Sequence, residues 1–408
     1  MTENWPRSAL LVLGASEEHI PLYQEAGRRG IPTIAVDMRQ DAPAFPFADA
    51  AMQVSTRDAD AIAEALGDTR PAGIVAGATD AALLTWRVLG LRYGMPYVYP
   101  EAALAGLDKA AFHQVVANCG IAGYGWVASD DPGKVSAKAA ALRFPLMVKP
   151  VDGSGSKGIT CAAHPDDLAA AIARARSYSP SQTVIAEEFL PGRQLTIDLF
   201  LQGGASVMTC VKEQELVDGR SVVRRISTTQ LSPAEHHHLE DVAERLCGAL
   251  GITDGPANFD LVLGEDGQGR IVEANPRLSG DSIPRLHEAA MGVNVVGALI
   301  ALALGEPFDA YLTPTRDAHA GVELLGSPLD GDGVLETWEG AAEARKVPGV
   351  TGIELYAQPG DRVHPHDQSG HKIGMITAAG PSPAEVSVAL DTASSLLRPI
   401  IRPTREGS

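Results

Sequence analysis

Between Lys149 and Ile159 the chain reads KPVDGSGSKGI, and what flanks this loop decides which phosphate-binding fold can contain it. Gly153, Gly155 and Gly158 spell G-x-G-x-x-G. A dinucleotide turn with that spelling is followed directly by a helix whose N-terminus faces the pyrophosphate. Here ITCAAHP follows, with a β-branched start and Pro165 closing the run. A Walker loop has Gly before its lysine and Ser or Thr after it, whereas Lys157 stands between Ser156 and Gly158. The segment therefore reads as the tip of a β-hairpin, with Lys149 on the incoming strand. Such a loop can fold over a triphosphate and donate backbone N–H groups, while Lys149 supplies a point charge. A glycine-rich surface hairpin has the same sequence, and the loop alone does not choose between them. Lys157 likewise either reaches a phosphate or is solvated.

With 408 residues the chain is expected to form two or three domains. Its formal net charge of −18, with acids spread throughout, argues against nucleic acid or an anionic membrane as the main partner. No apolar run approaches the roughly 20 residues of a membrane span. The N-terminal MTENWPRSALLVLGA lacks signal-peptide architecture. Cys119, Cys161, Cys210 and Cys247 include no C-x-x-C pair and read as reduced thiols. The expected setting is cytoplasmic.

The first 105 residues alternate strand and helix patterns. ALLVLGA, IPTIAVD and AGIVAGAT read as strands, and EHIPLYQEAGRRG, ADAIAEAL and DAALLTWRVLGLRYG as helices. That alternation predicts a doubly wound parallel sheet. Gly14 and Asp37 imitate the spacing of a dinucleotide site, but the further glycines are missing, so a Rossmann-like sheet without cofactor is expected. A middle region, 106–311, mixes helices (LDKAAFHQVVANCG, HPDDLAAAIARARSY, SPAEHHHLEDVAERLCGALGI) with strands (RFPLMVKP, GITCAAH, TVIAEEFL, QLTIDLFL). Two or more strands are expected in 206–230. The remainder, 312–408, shows the strands TGIELYA and HKIGMITAAG and the helix SPAEVSVALDTASSLLRPI.

FDLVLGEDGQGRIVEANPR reads as a hairpin turned at Asp266–Gly267. It places Asp260 and Glu273 on facing strands and Asn275 two residues further along. All three can share a face. Two carboxylates and an amide are the oxygen donors Mg²⁺ prefers when triphosphate oxygens complete its shell. Arg277, two residues on again, can point the same way toward developing negative charge. An exposed charged hairpin is the plain alternative.

Lys109, Lys149, the loop 153–158, EEFLPGRQ (Glu187–Gln194) and EANPR (Glu273–Arg277) occur in an order that resembles the ATP-grasp superfamily. The resemblance covers nearly the whole chain. It implies an α/β ATP-grasp fold: a Rossmann-like domain over 1–105, a two-lobed α+β ATP-binding domain over 106–311 and a small C-terminal α+β lobe over 312–408. It also implies ATP and Mg²⁺ as cofactors, with Mn²⁺ as the alternative ion. Lys109 and Lys149 would touch phosphates, and Gly153, Ser154, Gly155, Ser156, Lys157 and Gly158 would close over them. Glu187, Glu188, Phe189 and Leu190 would hold adenine. Gln194 stands where many members place a ribose-binding glutamate. Asp260, Glu273 and Asn275 match the metal ligands.

Within the superfamily, NPRLSGDSIPRLHEAAMGVNVVGALIALALG resembles the carboxylate–amine ligases that join amino acids. There the Arg277 position steadies the acyl phosphate and tetrahedral intermediate, and the Gly280 position helps form an oxyanion site. Asp281 replaces a bulky residue and implies a roomier or more polar pocket able to read an amine. The substrates implied are a small-molecule carboxylate and an amine; a homodimer is left open. A bicarbonate-using carboxylase and a non-catalytic nucleotide-binding module are the alternatives.

Other residues leave two readings each. Asp80 follows a parallel strand and can bind an amine or cap a helix. Arg224 and Arg225 can hold a substrate carboxylate or lie on a strand surface. His236–His238 are consecutive on a helix and diverge by about 100° each, which favours a solvated face over a metal. His364, His366 and His371 are expected in a loop, with a metal again disfavoured.

Overall fold

The computed structural model describes residues 5–218, 220–281 and 283–404. The N-terminal region forms a four-stranded parallel sheet from β1 (Leu10–Leu13), β2 (Thr33–Val36), β3 (Ala50–Met52) and β4 (Gly73–Ala76), in the order β3-β2-β1-β4. LLVL in β1 is buried throughout, as expected for a strand covered on both faces. Part of the cover comes from far along the chain. Helix Val295–Leu304, with every residue to Ala303 buried, packs on β4 and on helix Ile20–Arg28. Its apolar circumference fits a position inside the molecule.

The second sheet, in the order β5-β8-β6-β7, is antiparallel: β5 (Trp126–Ser129), β6 (Leu146–Pro150), β7 (Thr160–Ala162) and β8 (Val184–Glu188). β6 pairs with β7 around the glycine loop, so the segment is the tip of a hairpin. Helices Pro132–Ala139 and Leu168–Ser177 cover this sheet. The resulting lobe has its own core, in which Val135, Leu146, Val148 and Ala175 are fully buried.

The third sheet has eight antiparallel strands in the order β13-β12-β9-β10-β11-β14-β18-β16. They are β9 (Arg193–Gln202), β10 (Ala205–Leu216), β11 (Val223–Thr228), β12 (Gly255–Leu263), β13 (Gly269–Asn275), β14 (His319–Leu325), β16 (Val350–Leu355) and β18 (Gly374–Gly380). β11 pairs with β14, Arg225 opposite Glu323, so one hydrogen-bonded sheet runs across residue 312. β15 (Gly333–Glu339), β17 (Arg362–Val363) and β19 (Arg398–Pro403) form a small sheet in the order β17-β15-β19.

β3, β14 and β15 were not expected from the sequence, and the last helix was expected to run on through Arg398-Pro399-Ile400. It ends at Leu396, and Arg398–Pro403 pairs with β15. Pro399 cannot continue a helix, and edge strands tolerate proline. The main core joins the parallel sheet to the eight-stranded sheet, whereas the 126–188 lobe is packed separately. Leu146→Ala should therefore destabilise that lobe by about 2–5 kcal/mol. Amide exchange should rise across 126–188 and stay unchanged in β1, β4 and β12. A uniform rise would show that the lobe does not open as a unit.

Candidate active site

A cavity of about 810 Å³ opens between the 126–188 lobe and the eight-stranded sheet. Ser154, Gly155 and Ser156 line it from the glycine loop. Gly155 and Ser156 are both in the left-handed region (φ 67° and 61°), which bends the loop tip. Gly158 (φ 74°) has no room for a side chain, since a Cβ would stand 2.9 Å from Tyr178. Lys157 is exposed, and neither it nor Gly153 or Gly158 lines the cavity. Glu187, Glu188, Phe189, Leu190 and Gln194 line it along the segment leaving the lobe. The Phe189 N–H already donates to the Pro145 carbonyl.

Lys149 enters from β6 and is nearly buried. Its Nζ lies 2.6 Å from Glu187 Oε2, and His113 Nε2 lies 2.7 Å from Oε1. Burial works to raise the Glu187 pKa, but the Lys149 ammonium and the His113 contact hold it down to about 2. Lys109, on helix Lys109–Asn118, lies behind the cavity. Its Nζ is 2.9 Å from Glu273 Oε1 and donates to the Gly153 carbonyl at 2.8 Å. Burial disfavours that ammonium, yet Glu273 raises its pKa.

Asp260 of β12 faces Glu273 of β13, and Asn258 faces Asn275. Burial first, then the Glu273 charge, pushes the Asp260 pKa up to about 6. Asp260 accepts hydrogen bonds from Gln214 (3.1 Å) and Asn275 (3.3 Å). Among the described residues no group of three His, Cys, Asp or Glu side chains surrounds a metal position. The candidate set is two carboxylates and one amide, all lining the cavity. Two part-buried carboxylates facing each other, with Asp260 pushed up by burial and by Glu273, suit a divalent cation bound by oxygen, so the set fits Mg²⁺.

Arg277 Nε and Nη2 contact the two Asp80 oxygens at 2.6 and 3.1 Å, and Nη2 also donates to Asn275 Oδ1 at 3.1 Å. Burial would raise the Asp80 pKa, but Arg277, followed by Lys109, lowers it. Asp80 is thus the partner of Arg277 and makes no side-chain helix cap. Gly280 and Asp281 form the next wall. Asp281 is not a free carboxylate for an amine: Lys372 Nζ lies 3.0 Å from it and 2.7 Å from Glu18.

Arg225 requires a correction. It is buried outside the cavity, ion-paired with Glu323 and Asp391, while Arg224 pairs with Glu215 and Glu323. The strand pairing Arg225↔Glu323 supplies that partner from a strand the sequence did not reveal. The sequence reading also missed Asn258, although it lies two residues before Asp260 and so on the same face. Lys372 and Glu18 carried no local signal, because only the tertiary fold joins them.

Residues 142–285 match the family model described as an ATP-grasp domain. The chain is 26% identical to the formate-dependent phosphoribosylglycinamide formyltransferase of Synechococcus sp., over 97% of this chain and 98% of that protein. Two solved structures share its fold. The L-amino acid ligase of Bacillus licheniformis gives a TM-score of 0.82 at 18% identity, covering 98% of this chain and all of that one. The biotin carboxylase domain of the Hydrogenobacter thermophilus 2-oxoglutarate carboxylase, solved with MgADP and bicarbonate, gives 0.76 at 15% identity over 97% and 91%. Residues 142–285 therefore carry an ATP-grasp domain within an ATP-grasp fold, and proteins of that family are ADP-forming ligases that use ATP and Mg²⁺. Residues 328–402 match a more particular model, the L-amino acid ligase C-terminal domain 2. No single described helix is long and apolar enough to cross a membrane.

The Glu187 pKa is depressed in the fold, so its stabilising effect is complete above about pH 4.5 and is lost as pH falls toward about 2. The contribution is about 3 kcal/mol. Glu187→Gln should lower the unfolding midpoint at pH 7 and flatten its decline below pH 4.5. An unchanged acid slope in urea titrations would exclude this coupling.

Proposed function

We propose that the protein is an ATP-dependent carboxylate–amine ligase that joins amino acids through an acyl phosphate, releasing ADP and phosphate. The observation that carries this reading is the position of Arg277. It joins Asn275 of the paired-acid hairpin to Asp80, and with Gly280 it lines one cavity that the glycine loop also lines. The match of residues 328–402 to the L-amino acid ligase domain supports the same substrate class.

In this reading Lys149 meets triphosphate oxygens on the cavity wall, and Lys109, held by Glu273 behind that wall, would add its charge to the same side. The glycine loop covers the phosphates with backbone N–H groups and limits water. Glu187 to Leu190 and Gln194 hold the nucleoside. Asp260, Glu273 and Asn275 would hold Mg²⁺, which supplies neutralisation of the charge spread over the transferring phosphoryl group. A substrate carboxylate oxygen attacks the γ-phosphorus and ADP leaves. The second substrate's amine nitrogen then attacks the acyl carbon. Arg277 and backbone N–H groups near Gly280 stabilise the oxyanion, and phosphate departs as the amide forms.

Amino acids screened in pairs for ADP release, with mass spectrometry of the products, test the reading. An amide and stoichiometric ADP are expected. ADP release that depends on bicarbonate and needs no amine would replace this reading with the carboxylase one.

Two substitutions separate the half-reactions. Arg277→Ala should bind ATP nearly normally yet lose amide formation by about 100-fold or more, since its charge matters where the oxyanion develops. Lys149→Ala should weaken ATP binding itself. Calorimetric titration beside product assays checks both, and the reverse pattern would show the roles to be exchanged. Glu273→Gln should lower turnover by about 100-fold or more while the fold persists, because it removes a carboxylate from the cation site. Full activity in that variant would place the metal elsewhere.

A further inference from the structure

Behind the cavity wall, one buried carboxylate holds several elements that face the substrates. Asp198, on β9, is 4% exposed and does not line the cavity. Ser279 donates its hydroxyl to Asp198 Oδ1, and His287 Nε2 lies 2.7 Å from Oδ2. The Ser279 hydrogen bond ties the residue before Gly280 to this carboxylate, and the His287 ring packs beside it from the helix that follows. On its other side Asp198 accepts from Asn258 Nδ2 at 2.5 Å. Asn258 Oδ1 in turn accepts from Asn275 Nδ2 at 3.2 Å, and Asn275 Oδ1 accepts from Arg277 at 3.1 Å. Lys212, fully buried on β10, contacts Asp198 Oδ2, while burial drives its pKa well below the usual lysine range.

We infer that Asp198 is a positioning residue for acyl transfer, which sets the Gly280 turn in register with Asn275 and Arg277. The inference rests on the ligase reading and adds the group that aligns its second step. A buried Asp–Lys contact is a costly way to fill a sheet, and apolar residues of similar volume often serve stability as well or better. What this pair provides is direction: hydrogen bonds from Ser279 and Asn258 have fixed geometry, and packing alone does not impose it. Misplacing an oxyanion donor by about 1 Å can cost on the order of 100-fold in rate. It would also leave the acyl phosphate exposed to water for longer.

The test uses the full chain and the amino-acid pair with which the wild type forms amide, reading amide per ADP and the KM for ATP. Ser279→Ala cuts the tie to the turn and leaves the Asn258 arm in place. It should keep the ATP KM within about twofold while amide per ADP falls on the order of tenfold. Ser279→Thr, which retains the hydroxyl, should recover most of the coupling. Asp198→Asn should uncouple similarly, and adding Ser279→Ala to it should change the ratio by less than about twofold, since both act through one contact. Thermal melts identify any variant that fails to fold, and Ser279→Ala carries the test alone if Asp198→Asn does. Unchanged coupling in Ser279→Ala, or a parallel loss of ATP affinity, would overturn the inference and leave the ligase reading intact. A wild-type enzyme that consumes ATP with amino acids and yields no amide would overturn the ligase reading first, and this inference with it.

Discussion

Asp260 and Glu273 sit opposite each other on β12 and β13, two acids that antiparallel pairing forces together inside the protein. Their repulsion organises what surrounds them. Lys109 approaches Glu273 from a helix in the preceding segment, and Gln214 and Asn275 donate to Asp260. Arg277 then joins Asn275 to Asp80 of the parallel-sheet domain. An unfavourable pair of like charges is thereby tied to three regions of the chain. A divalent cation and triphosphate would complete the compensation that the protein alone leaves partial.

The same economy of charge governs the lobe that lies over the site. Lys149 and Glu187 are partners on neighbouring strands of that lobe, β6 and β8. A phosphate arriving at Lys149 would compete with Glu187 for the ammonium, while His113 keeps one Glu187 oxygen satisfied. Besides the buried His113–Glu187 contact near its base, the lobe meets the rest of the molecule through polar ties at its glycine-loop tip. One is the Ser369 N–H to the Gly155 carbonyl, at 3.4 Å, and another is Lys109 to Gly153. Separate packing of its core and weak ties at its tip are the properties that let a lobe close over a ligand as a unit.

The architecture was legible where the signal was local. Strand–helix alternation gave the parallel sheet, and ITCAAHP gave the hairpin after the glycine loop. The spacing from Asp260 to Asn275 placed three oxygen donors on facing strands. What sequence could not supply were pairings between distant segments. Arg225 looked available for a substrate because Glu323, its partner, belongs to a strand 98 residues later in the chain. Asp281 looked able to read an amine because Lys372 arrives from the C-terminal region. In both cases the residue type was read correctly and its electrostatic partner was missing, which reverses the meaning of a buried charge.

Lys372 carries the synthesis one step further. Its ammonium lies between Glu18 of the first domain and Asp281 of the acyl-end turn, and it also donates to the Ser369 carbonyl. Those contacts hold its proton despite burial. Glu18 and Asp281 share this one ammonium, and Arg277 beside them is matched by Asp80. The cations at this end of the cavity are thus held by acids from distant parts of the chain, which ties the turn bearing Gly280 and Asp281 to the first domain and the C-terminal region together. On the proposed ligase reading, a substrate carboxylate would reach Arg277 only by sharing it with Asp80.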